Sequence, residues 1–306
     1  MLVTVAHSLL DDVVARVPGM QGSFTATPLP GGLTNRNYRV TSASGRDVVV
    51  RLSSEQSALL AIDRDAECAN STAAASTGVA PDVLAYLPEF GALVIEWIDG
   101  RTFDEAELDD AETLARVAAT CRRLHAGPRF VGDFDMFALQ RRYLELVLSR
   151  GFRLPPSYLD FAPVLTTIRG AMAVRDEGTV PCHNDLLAAN IMADDTQLWL
   201  VDFEYSGNAD PCFELGNLCS EAHLGTDRLE HLVAAYFGVA TAGKVARTRL
   251  FGIMSDYGWT LWASIQAATS ELDFDFWSWG LQKYERATAE LRGPDLPRLI
   301  TEVQQP

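Results

Sequence analysis

Positive charge is scarce in this chain. Lys and Arg together number 25 against 41 Asp and Glu, a net charge of −16 over 306 residues. Gripping a nucleic acid or an anionic membrane takes basic surface, so neither is an expected partner. The acidity suits a cationic small molecule, although most of these carboxylates read as ordinary solubility charge. Cysteine is also sparse. Cys68, Cys121, Cys182, Cys212 and Cys219 are odd in number and form no Cys-x-x-Cys pair, which reads as reduced thiols of a cytoplasmic protein. The five histidines show no zinc-ligand spacing. There is no basic segment leading into an apolar one at the N-terminus, no apolar run of membrane-spanning length, and no internal repeat.

What is present is 48% hydrophobic residues, enough for a substantial core. Val5, Leu9, Leu10, Val13 and Val17 share one helical face before Pro18-Gly19. Strand-like segments follow at Phe24–Thr27, Asn37–Thr41 and Asp47–Leu52. A helix is expected over Ile62–Ser76, then strands at Val83–Leu87 and Ala92–Ile98. Asp99-Gly100-Arg101 reads as a hinge. Beyond it the periodicity is helical over Glu105–His125, Met136–Arg150 and Tyr158–Asp176. Two short strands, Val180–Cys182 and Gln197–Val201, interrupt it. Helices resume at Phe213–Ala222, Arg228–Phe237, Lys244–Thr269 and Phe276–Leu291.

The densest chemistry lies around the two short strands. Cys182-His183-Asn184-Asp185 is followed by Asn190, five residues beyond the Asp, and then by Asp202-Phe203-Glu204. Asp185 would accept a hydroxyl proton, with His183 as a second candidate catalytic residue orienting the loop. Asn190 and Asp202 offer the hard oxygen ligands that magnesium prefers. Glu214 would anchor this loop.

Upstream, Gly31-Gly32-Leu33-Thr34-Asn35-Arg36-Asn37 lacks the Gly-Lys-Ser/Thr ending of a Walker loop. Alone it is a hairpin; with Asp185 and Asp202 downstream it becomes a phosphate cover. Arg51 ends a strand where kinases usually place Lys, and its guanidinium could grip phosphates bidentately. Glu67, or Asp65, could pair with it. Glu96 and Ile98 could read adenine through a backbone C=O and N–H. Trp259 and Trp262 share a helix face, and Trp277 and Trp279 follow. These rings suggest a cage for a quaternary ammonium, with helix packing as the competing reading. Glu221 is free to face a cation.

Nearly the whole chain resembles the choline/ethanolamine kinase family, within the aminoglycoside-phosphotransferase-like superfamily of kinases. The resemblance is carried by Gly31 to Tyr38, Arg51, His183-Asn184-Asp185 with Asn190, Asp202-Phe203-Glu204-Tyr205, Phe213-Glu214-Leu215-Gly216-Asn217 and Trp259-Thr260-Leu261-Trp262. It implies an α+β, bilobed protein-kinase-like fold. Residues 1–98 would be a small antiparallel lobe with a leading helix, and residues 99–306 a larger, mainly helical lobe. It also implies ATP and Mg2+ as cofactors, with Asp185 as base and Asn190 and Asp202 on the metal. Gly32, Thr34, Asn35, Asn37 and Arg51 would hold ATP. Tyr205, Glu221, Trp259, Trp262 and Trp279 would line a choline pocket.

The chain departs from the family at Leu187, where eukaryotic members carry Gln, and at Trp279, where they carry Tyr. No cage tyrosine follows Glu221. The expected activity is phosphorylation of choline by a monomer or homodimer. Ethanolamine, thiamine or an aminoglycoside are alternative acceptors, and an inactive nucleotide-binding scaffold is the reading from another class.

Overall fold

The computed structural model describes residues 9–30, 32–54 and 58–305. Gly31, expected in the phosphate loop, and Val5, expected on the leading helix, lie outside them. Strands β1 (Phe24–Leu29), β2 (Asn35–Ser42), β3 (Asp47–Ser53), β4 (Val83–Leu87) and β5 (Ala92–Glu96) form one antiparallel sheet in the order β1-β2-β3-β5-β4.

Side chains alternate between the faces of a strand. Val48 and Val50 are fully buried in an apolar layer with Val40, Val94 and the helix α1 (residues 9–14) side chains Leu10, Val13 and Val14. Arg51 therefore takes the other face. It sits across from Asn37 on β2 and Leu93 on β5. Helix α2 (Arg64–Ala75) covers that face. Its N-cap is Asp63, whose Oδ1 accepts the N–H groups of Asp65 and Ala66, both at 3.0 Å. The first turn of α2 thereby presents Glu67 to Arg51.

Arg101 is not a linker residue. It opens β6 (Arg101–Thr102), which pairs with β8 (Ile191–Ala193), which in turn pairs with β9 (Leu198–Leu200). β7 (Val180–Cys182) pairs with β10 (Gly207–Ala209). The two- and three-residue strands β6, β8 and β10 were not expected. The segment from Glu105 is not one helix either. A 3-10 stretch, Glu105–Asp109, precedes α3 (Ala111–His125). Asp110 breaks the two apart by turning its carboxylate onto Thr113 N at 2.8 Å. Similarly, a 3-10 turn, Tyr158–Phe161, precedes α5 (Ala162–Met172).

Helices α4 (Met136–Arg150), α6 (Pro211–Glu221), α7 (Thr226–Phe237), α8 (Ala242–Thr269), α9 (Phe276–Leu291) and the unforeseen α10 (Leu296–Glu302) complete the chain. α8 is buried for most of its 28 residues. Among the described residues no helix is long and apolar enough to cross a membrane.

The backbones of α6 and α8 touch at two glycines. A Cβ on Gly216 would lie 2.4 Å from Thr248 O and 2.7 Å from Gly252 N. Both neighbours are backbone and cannot turn aside. This contact sets the depth of α6, which carries Glu214 and Asn217. Gly216→Ala is expected to lower stability by about 1–3 kcal/mol through overpacking, despite alanine's better helix propensity. Chemical denaturation checks this; an unchanged midpoint would mean that the helices part freely.

Candidate active site

The Asp185 loop follows β7 and hangs from α6. The Glu214 carboxylate, fully buried, accepts the N–H groups of His183 at 2.9 Å and Asn184 at 2.6 Å. Three residues along the same helix face, Asn217 Oδ1 accepts Leu186 N–H at 2.7 Å. Asn184 is in the left-handed region, at φ 67°, and its amide donates to Tyr205 O at 3.1 Å. Burial pushes the Glu214 carboxyl up, but His125, His183 and the Asn184 N–H together hold it below its ordinary range.

His183 has no exposed surface. Its Nε2 lies 2.8 Å from Val201 O, which can only accept, so Nε2 carries the proton. Its Nδ1 accepts Asp185 N–H at 3.3 Å. His183 thus ties the Asp185 backbone to the strand before Asp202. His125, Cys182 and Glu214 also converge within 4.8 Å, a grouping that spacing does not reveal. Glu214 is already engaged there, and burial pushes the Cys182 thiol well up, away from the thiolate a metal needs.

Asp185 keeps some exposure. The enclosing protein, then Glu221, Asp202 and Glu204, hold its carboxyl well above the usual aspartate range, with Lys283 acting in the opposite direction. Asn190 turns its amide nitrogen to Asp185 O at 2.9 Å, which directs its side-chain oxygen elsewhere. Asp202 follows β9 at φ 70°.

A continuous ionic network links the sheet to the Asp202 segment. Arg51 pairs with Glu67 on one side and donates to Asp202 Oδ1 at 2.6 Å on the other. Glu67 is the partner rather than Asp65, which accepts from the Tyr86 hydroxyl at 2.7 Å. Arg64, missed in the sequence, donates to Glu67 at 2.7 Å, Glu204 at 3.1 Å and Asn35 at 2.8 Å. Thr34 and Asn35 donate to Glu204 at 2.8 and 2.9 Å. Their side chains therefore latch the glycine loop to the Asp202 segment. Gln266 of α8 holds the same loop at Leu33 O, 3.0 Å away.

Gly32 is required by a close approach, since a Cβ there would lie 2.3 Å from Asn35 O. Asn37 Oδ1 is buried without a hydrogen-bond partner. Burial, then Asp202, pushes the Glu204 carboxyl up. At the end of β5, the Glu96 N–H is taken by Asp82 O at 2.9 Å.

The aromatic residues come together. Trp262 Nε1 donates to the Tyr205 hydroxyl at 2.9 Å. Tyr205 and Trp259 meet edge to face at 4.8 Å, and Trp262 and Trp279 at 5.6 Å. Trp277 is not among them; its ring is stacked by Arg153, 3.8 Å from the centroid. Glu221 faces a cation as expected, but that cation is the chain's own Lys283.

The family model for the phosphotransferase enzyme family matches residues 25–251. The chain belongs to that family. Protein LicA of Haemophilus influenzae is 25% identical over 269 residues, 84% of this chain and 77% of LicA. Human ethanolamine kinase 1 is 24% identical, over 78% of this chain and 61% of its own length. The crystal structure of a choline/ethanolamine kinase family protein from Mesorhizobium loti superposes with a TM-score of 0.82 at 28% identity, covering 97% of this chain and 99% of that one. The protein is accordingly a kinase-type phosphotransferase with a bilobed, protein-kinase-like fold.

Glu214 gives this phosphotransferase a testable acid sensitivity. Glu214→Gln offers only one acceptor oxygen to two buried N–H groups and is expected to cost about 1–3 kcal/mol at neutral pH. The folded-state carboxyl is depressed below the ordinary 4.5, so its contribution is full above that value and is lost as pH falls through the folded-state value. The gap between wild type and variant should narrow on acidification. Urea denaturation across that range checks it; a pH-independent gap would contradict the assignment.

Proposed function

We propose that this kinase transfers the γ-phosphoryl group of ATP to the hydroxyl of a small cationic amino alcohol, choline before others. The observation that carries this is a chain of direct contacts. It joins Arg51 to Asp202, the Asp185 loop to Tyr205, and Tyr205 to the tryptophan cluster. Asp185 accepts the hydroxyl proton and aims the oxygen at the phosphoryl group. His183 positions Asp185 rather than touching substrate.

The residues fit a magnesium ion. Asn190 and Asp202 bring hard oxygens. Arg51 and Arg64 stand against Glu67, Asp202 and Glu204, leaving surplus negative charge beside Asp185. Bound there, the ion would neutralise phosphate oxygens. Arg51, kept in orientation by Glu67, would turn from Asp202 to the phosphates. Residues 32–37 would cover the phosphates, and Glu96 C=O and Ile98 N–H would read adenine. The rings of Tyr205, Trp259 and Trp262 would recognise the ammonium through cation–π attraction, with Trp279, also expected in the pocket, set against Trp262. A cytoplasmic monomer or homodimer completes the proposal.

A coupled ADP-release assay with MgATP, comparing choline, ethanolamine, thiamine and kanamycin, tests the acceptor. Selective turnover of choline is expected. Turnover of kanamycin alone would reassign the aromatic cluster to packing. Asp185→Asn should lower kcat by about 10²–10⁴-fold while sparing ATP affinity; near-normal kcat would remove Asp185 as base. Trp262→Ala should raise the KM for choline about tenfold with little change for ATP. Equal effects on both would favour a packing role.

A further inference from the structure

The proposed acceptor site already holds a cation. Lys283 of α9 is 2% exposed. Its ammonium donates to both Glu221 oxygens, at 2.6 and 2.7 Å, and lies 3.7 Å from Asp256 Oδ1. It also sits 4.3 Å from the centroid of the Trp279 ring. A carboxylate on one side and an indole face on the other is the constellation that would bind an alkylammonium ligand. Arginine is the usual cation of this chain. Lysine occurs only twice, and the other, Lys244, pairs with Glu177 in a less buried setting.

Charges in this corner are matched one to one. Lys283 compensates Glu221. Asp256 is met by Arg286 through two hydrogen bonds, at 3.0 and 2.8 Å. The Trp279 ring beneath Lys283 meets Trp262, and Trp262 donates to the Tyr205 hydroxyl, which places the pair beside the aromatic cluster of the expected acceptor site.

We infer that Lys283 is a specificity-determining residue: by neutralising Glu221 and covering the Trp279 face, it leaves acceptor recognition to the rings of Tyr205, Trp259 and Trp262. The consequence turns on N–H groups. A primary ammonium has three donors that need oxygen acceptors once water is removed. A trimethylammonium has none, and ring faces satisfy it. Lys283 thus selects the methylated ammonium against the primary one. This inference rests on the amino-alcohol kinase reading and refines it.

The test measures kcat and KM for choline and ethanolamine with MgATP in wild type, Lys283→Met and the double variant Glu221→Gln/Lys283→Met. Wild type should prefer choline. Lys283→Met exposes Glu221 as a free carboxylate and should shift the ratio of kcat/KM values toward ethanolamine by about tenfold or more, chiefly through KM. The double variant replaces an ion pair by a neutral pair and should return the ratio toward wild type. A folded Lys283→Met enzyme with normal ATP affinity and an unmoved ratio would reduce Lys283 to packing and overturn the inference. Should Lys283→Met fail to fold, the double variant carries the test alone. Retained choline preference supports the inference; loss of that preference shows that Glu221 reads the acceptor directly and overturns it. A wild type that prefers ethanolamine overturns the inference and keeps the kinase. A wild type that phosphorylates neither overturns the proposed function, and the inference with it.

Discussion

Glu214 has no exposed surface, and its two oxygens accept the backbone N–H groups of His183 and Asn184. A loop carrying a reactive carboxylate has backbone donors that regular structure does not satisfy. Left bare in the interior, each would cost on the order of 1–3 kcal/mol. Glu214 answers two of them and Asn217 a third, both from α6. The position of α6 depends in turn on the glycine contact with α8. The place of Asp185 is thus decided three layers away, where two helices approach closely enough to exclude a methyl group.

A second constraint joins the sheet to the helical part. Arg51 and Arg64 bridge Glu67, Asp202 and Glu204. Buried ion pairs of this kind are weak sources of stability, because desolvation offsets attraction. Their value here is geometric. A guanidinium has a fixed fork, so the strand end, the first turn of α2 and the segment after β9 are held in one arrangement. Thr34 and Asn35 extend the latch to the glycine loop through Glu204. Binding of a triphosphate in the proposed manner would exchange carboxylates for phosphates around Arg51.

On the acceptor side, the chain answers its own acidity. Glu221 and Asp256 each have an internal cation, and in the proposed reading recognition falls to the aromatic rings. Recognition by rings and recognition by carboxylates favour different ammonium ions. In the proposed reading, one buried lysine would bear on selectivity without contacting the reacting atoms.

Much of this was legible in the sequence. The five strands of the sheet were anticipated from short runs rich in apolar and β-branched residues, and the long helices from their 3.6-residue periodicity. Asp185, Asn190 and Asp202 stood out because phosphoryl-transfer chemistry calls for those residue types, and their spacing around two short strands suits it. An ion pair of Arg51 with Glu67 or Asp65 was anticipated from the strand end, and the structure pairs it with Glu67. Local sequence did not show β6, β8 and β10, each of which is fixed by the neighbouring strand that pairs with it. Nor could it show that Thr34 and Asn35 turn to Glu204, that Arg64 joins the network, or that the cation opposite Glu221 is Lys283, 62 residues away. The residue pattern alone was enough for the longer strands and helices and for the candidate catalytic side chains, because these depend on local periodicity and on chemistry carried within a few residues. Only the tertiary structure decided which charges meet. A buried ion pair joins residues distant in the chain, and its partners are chosen by which faces the packed core brings together.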